Sequence, residues 1–98
     1  MGFTMMITPQ ARRRITGAVR ALDPRSRERW ESWAATADGV PPYDVAAIAL
    51  RALEAAEKEA CLRLDYEGLD EDTRADLAND LGYIQSIETA LRAEGVGR

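Results

Sequence analysis

Apolar residues recur at three- and four-residue steps through most of this chain, and the longest such runs fall in its second half. Val45, Ala49, Ala52, Leu53, Ala56, Ala60 and Leu64 share one helical face, and Ile48, Leu50, Cys61 and Leu62 widen it. An arc that broad belongs to a helix near the centre of a bundle. Leu77, Leu81, Ile84, Ile87 and Leu91 make a second regular stripe. The spacing predicts helices over about 42–64 and 73–94, each roughly 33–35 Å long at 1.5 Å per residue. A short acidic connection between them implies antiparallel packing. The alanines of the first long helix and Gly82 of the second would let the two backbones approach closely.

The ends of these helices carry their own signals. Pro42 can serve as the first residue of the first long helix, after the break at Asp38-Gly39-Val40-Pro41. Thr73 with Asp76 resembles a capping box, and Asp70, Glu71 and Asp72 bring negative charge to the positive end of the helix dipole. Gly95 directly after Glu94 is expected to be the C-terminal cap. Glu54–Lys58 and Glu59–Arg63 are spaced four apart, acid first, as solvated ion pairs on the polar side.

The first part of the chain reads as a cover for this hairpin. Thr8-Pro9 is a helix start, and Ala11, Ile15, Ala18 and Leu22 give a narrow stripe over about 9–22. Gly17 weakens that helix by about 1 kcal/mol relative to alanine. Asp23-Pro24 repeats the start signal and opens a second short helix over about 24–37, with Trp30, Trp33, Ala34 and Ala37 on its apolar side. Residues 1–7 read as a disordered or loosely docked tail. The expected fold is all-α: a long antiparallel helical hairpin covered by two short N-terminal helices in a four-helix, bundle-like single domain over 8–98.

Composition narrows the classes. With 98 residues, 46% hydrophobic and 31% charged, the chain is long enough for one modest core and is not compositionally disordered. No apolar run approaches the roughly 20 residues needed to span a membrane. The opening residues lack the basic segment of a signal peptide, so a cytoplasmic address is the expectation. The single cysteine, Cys61, has no partner for an internal disulfide and reads as a small apolar residue on a helix face. Arginine and alanine dominate in a way that associates with bacterial, GC-rich coding.

Charge is divided along the chain. Residues 1–34 hold seven Arg against three acids, a net of +4, whereas residues 35–98 hold six basic and fourteen acidic residues, a net of −8. The two parts either face each other or address different partners.

Candidate chemistry is sparse. The chain has no histidine, the commonest general base and metal ligand, and its seven glycines form no phosphate-cradling motif. Cys61 lacks a histidine to activate it. Asp65, Glu67, Asp70, Glu71 and Asp72, continued by Asp76 and Asp80, cluster at the hairpin loop. A calcium loop begun at Asp65 would need an acid where Leu69 stands and Gly where Asp70 stands. No catalytic residue, metal ligand or cofactor site is therefore expected, and the acids read as a solvated surface able to meet a basic partner. Trp30 and Trp33, one turn apart, are either core or an interface anchor. The expected partner-binding set is Trp30, Trp33, Asp70, Glu71, Asp72, Asp76 and Asp80. The expected partner is another protein, with homodimerisation through the alanine-rich hairpin. The functional expectation is a small non-catalytic bacterial or phage accessory factor, of inhibitor, immunity or antitoxin type.

A second reading comes from a resemblance. Leu22-Asp23-Pro24, Arg27 to Ala34, Gly39-Val40 and Asp44 to Leu50 resemble the strand end, first helix and second helix of a ribbon-helix-helix domain. The resemblance covers about a third of the chain. It implies a DNA-binding antitoxin or regulator with an acidic, partner-binding C-terminal segment, contacting nucleic acid through Arg12, Arg13, Arg14 and Arg20. Arg20 stands on the core phase of the implied ribbon, with Val19 and Ala21 on its reading phase.

Overall fold

A computed structural model describes residues 6–36 and 39–97. Among these residues four helices follow one another: α1 (Pro9–Val19), α2 (Pro24–Thr36), α3 (Tyr43–Leu64) and α4 (Glu71–Ala93). The described residues contain no strand. α3 and α4 lie along each other as the expected antiparallel hairpin, and α1 and α2 both pack on α3.

Each helix starts for a local reason. The Thr8 hydroxyl accepts the Ala11 amide at 3.2 Å, with Pro9 in the first helical position where no N–H is needed. Asp23 caps α2 twice, accepting the Ser26 amide at 3.0 Å and the Ser26 hydroxyl at 2.8 Å. These bonds hold the Asp23 carboxyl below its ordinary pKa. α3 begins at Tyr43, with Pro42 one residue outside. α4 begins at Glu71 rather than Thr73, so the Thr73/Asp76 capping box does not form. Asp70 takes the cap position without a side-chain capping bond, yet the neighbouring Thr73 hydroxyl and amide still lower its pKa.

The C-terminal stop of α4 is a Schellman motif. Val96 N–H donates to the Leu91 carbonyl at 3.1 Å and Gly95 N–H to that of Arg92 at 3.0 Å. Gly95 has φ +92°, a conformation L side chains rarely adopt. Val96 is buried in the same core as Leu91, the apolar contact that accompanies this motif. The Tyr43 hydroxyl donates to the Gly95 carbonyl at 3.1 Å, tying the end of α4 to the start of α3.

One contiguous core joins Ile7, Ile15, Val19, Trp30, Val45, Ala49, Leu53, Ile84 and Leu91, with Trp33 and Ile87 at its margin. The core is not spread evenly along the hairpin. At its base, where α3 begins and α4 ends, both helices bury their apolar faces. From Cys61 to Tyr83 no residue is buried. The cover reaches only the near edge of this run, where Arg14 meets Asp80 and the small residues Gly17, Ala18 and Ala21 face Leu77 across a cavity; α1 then ends at Val19 and passes into tight turns at Ala21 and Leu22.

Several sequence expectations change. α1 stops three residues before Leu22, and the ribbon implied by the ribbon-helix-helix resemblance is instead α1 and a turn. Ile7, expected in the tail, is buried and its N–H donates to the Gly39 carbonyl at 2.6 Å; residues 1–5 of that tail lie outside the described residues. Ala37, expected on the α2 stripe, lies outside them too. Cys61 and Leu62 are exposed, not part of the buried face. Gly82 faces open space, and a methyl group placed on its Cα would have no neighbour within 4 Å, so it permits no close helix approach. Glu54 pairs across the hairpin with Arg92 at 3.1 Å rather than along its own helix with Lys58, and no Glu59–Arg63 pair forms.

Candidate functional site

The protruding end of the hairpin gathers most of the predicted partner-binding acids. Asp70 ends the loop, Glu71 and Asp72 occupy the first turn of α4, and Asp76 follows one turn on; all four are exposed. Arg74 closes the loop by donating to the Leu64 carbonyl at 2.6 Å and the Tyr66 carbonyl at 3.2 Å. Arg74 is itself exposed, so it stands as a cation among the acids of this end. Asp80 is set apart from this group. It takes a two-pronged pair from Arg14 of α1, at 2.8 and 2.9 Å, which pins the cover to the hairpin.

Apolar groups lie among these acids. Leu62 and Tyr66 are 65% and 67% exposed, and Leu64, Leu69, Leu77 and Leu81 are only partly covered. A cavity of about 160 Å³ opens where α1 ends between α3 and α4. Its walls are small residues, Gly17, Ala18, Ala21, Ala55, Ala56 and Ala60, with Leu77, and its rim carries Arg14, Asp80, Glu59 and Arg63. Small side chains on three converging helices leave this space, and charged groups share its lining.

The tryptophans are elsewhere. Trp30 is fully buried and its indole N–H donates to the Thr16 hydroxyl at 2.9 Å; that hydroxyl in turn donates to the Arg12 carbonyl at 2.7 Å. Trp33 packs on it at 5.2 Å between ring centroids and carries the Arg12 guanidinium on its face at 4.8 Å. Both are buried in the core, packed against α1, and offer no surface to a partner in this fold.

The basic residues of the nucleic-acid reading are dispersed by the same packing. Arg12 lies against Trp33 and donates to the Ala34 carbonyl at 3.1 Å, and Arg14 is held by Asp80. Arg13 and Arg20 remain exposed, without an ion pair among the described residues. Arg29 pairs with Asp44 at 2.8 Å, which lowers the Asp44 pKa and raises that of Arg29. The charge division is thus partly internal: α1 and α2 each send an arginine to the acidic part of the chain.

Sequence reasoning missed Glu88. It is 1% exposed, on the seam between α4 and α3, and neither carboxyl oxygen has a hydrogen-bond partner. Arg92, one turn on, comes no closer than 3.5 Å and also serves Glu54. Burial pushes the Glu88 carboxyl up to about 7, reinforced by the Glu57 and Glu54 carboxylates opposite and opposed by Arg92. The signal was available: Glu88 stands four residues after Ile84 and three before Leu91, on the apolar phase of the helix. Among the described residues no group of His, Cys, Asp and Glu is arranged to hold a metal ion, and no helix is long and apolar enough to cross a membrane. Compared with known proteins, the chain matches no family model, no curated protein and no solved structure.

Proposed function

We propose that this chain is a non-catalytic protein-binding factor that engages its partner through the free end of the α3–α4 hairpin. The observation that carries this reading is the run from Cys61 to Tyr83, in which leucines and tyrosines stand unburied within an acidic rim. Apolar surface left uncovered within a polar, mainly acidic rim is the pattern of an interaction site. The rim selects a basic partner and speeds its approach; the exposed leucines and the alanine-lined cavity supply apolar burial. An inhibitor, immunity or antitoxin role is one in which such a surface covers a basic target. A second copy, which offers Arg13 and Arg20 exposed and without an ion pair among the described residues, is one such partner, and homodimerisation is part of the proposal.

A photo-cross-linking residue at position 62, and separately at position 13, in the native host tests this. The reading expects a discrete adduct from position 62 that Asp72→Lys with Asp76→Lys abolishes. Adducts from position 13 alone would place the working surface on the basic cover and overturn it. Sedimentation of the purified chain separates a second copy from another protein as the partner.

A further inference from the structure

The geometry points to a proton-controlled clasp at the base of the hairpin, in which Glu88 must hold a proton for α4 to lie closed against α3. Both Glu88 oxygens are buried, and among the described residues no donor hydrogen-bonds either of them. As a carboxylate it would be a buried charge lacking the hydrogen bonds that usually make such burial tolerable. The charged groups that act on it are Glu57 and Glu54 from α3 and Arg92 from its own helix. Two of the three repel it. The third is shared, since Arg92 lies 3.1 Å from Glu54 and 3.5 Å from Glu88. Glu57 also accepts from the exposed Gln85 amide at 2.9 Å.

With a proton, Glu88 becomes a donor as well as an acceptor, and the Glu57 carboxylate opposite is an acceptor for it. Loss of that proton leaves three carboxylates around one guanidinium. The relief available is hydration, which requires the Ile84–Val96 side of α4 to move off α3. That side is where the Schellman stop and the Tyr43–Gly95 bond are anchored, so the clasp governs how firmly the end of the chain is docked. The device is independent of the partner surface at the other end of the hairpin.

The sign follows from proton linkage. A carboxyl at about 7 in the closed state and near 4.5 when hydrated favours the closed state fully below 4.5, and loses that advantage as pH rises to 7. The difference corresponds to at most about a 300-fold rise in the opening equilibrium. The test is carbon-13 titration of the Glu88 carboxyl in the full chain, with hydrogen exchange of the amides of 84–96 between pH 5 and 8, corrected for intrinsic base catalysis. The expected results are a midpoint near neutrality that Glu57→Gln lowers, and a corrected opening equilibrium that rises with pH in the parent but stays flat in Glu88→Gln. A Glu88 midpoint below 5 in the parent overturns the clasp whether or not either variant folds. An opening equilibrium that does not change with pH in the parent also overturns it.

Discussion

Shortening Ile84 to alanine is the perturbation whose size the packing determines best. The side chain is fully buried on the α3–α4 seam, among core residues of the hairpin base. Alanine removes three carbons, worth about 0.8 kcal/mol each in transfer free energy, so about 2.4 kcal/mol is lost before any void is counted. The void adds to this, because helices anchored on several sides collapse only partly, and the total should reach about 3–4 kcal/mol. For a domain of this size that lowers the melting temperature by roughly 12–30 °C. Leu62→Ala, at a 65% exposed position, should change stability by no more than about 0.5 kcal/mol. Leu77→Ala, half-covered and beside the cavity, should fall between them at about 1–2 kcal/mol. Urea unfolding of dilute protein measures all three. An Ile84→Ala loss no larger than that of Leu62→Ala would refute the packing described for the base. A Leu77→Ala loss equal to that of Ile84→Ala would refute the openness of the other end.

Glycine substitutions should have opposite signs: Gly82→Ala, inside α4 and facing open space, should stabilise by up to about 1 kcal/mol, whereas Gly95→Ala, at φ +92°, should destabilise by about 1 kcal/mol, both read from the thermal midpoint. Trp30→Phe keeps most of the buried ring but removes the N–H that serves Thr16, and should lower stability by about 1–2 kcal/mol in the same denaturant assay. Between pH 5 and 8 the parent should lose thermal stability while Glu88→Gln loses less, because the raised carboxyl favours the folded state only while protonated. Arg14→Ala should weaken the cover by no more than about 1 kcal/mol, since its pair with Asp80 is partly exposed, and the difference should shrink in high salt.

The helices themselves were legible, because Val45, Ala49, Leu53 and Ile84, Ile87, Leu91 keep one period and Thr8-Pro9, Asp23-Pro24 and Gly95 punctuate it. Their burial was not. Leu77 and Leu81 continue the stripe of Ile84 without a break, and nothing local distinguishes them; Leu77 stays half-covered because α1 and its following turn face it only with Gly17, Ala18 and Ala21 across a cavity, a tertiary circumstance. Periodicity likewise placed Trp30 and Trp33 together without deciding which way they face; the Thr16 bond and the Arg12 contact decide for the core. The acidic cluster was readable from composition, but Asp80 left it for Arg14, a pairing 66 residues apart that no local pattern encodes. Glu88 was overlooked because acids on helices are usually assigned to solvent, although its spacing placed it on the apolar face.

Residue-by-residue hydrogen exchange of the isolated chain at low concentration tests most directly whether this hairpin is sealed at one end and open at the other. Amides of 45–56 and 84–93 should be the best protected and those of 61–83 the least, with opening free energies falling toward the loop. Equal protection along both helices, or greater protection across 61–83, would contradict the account.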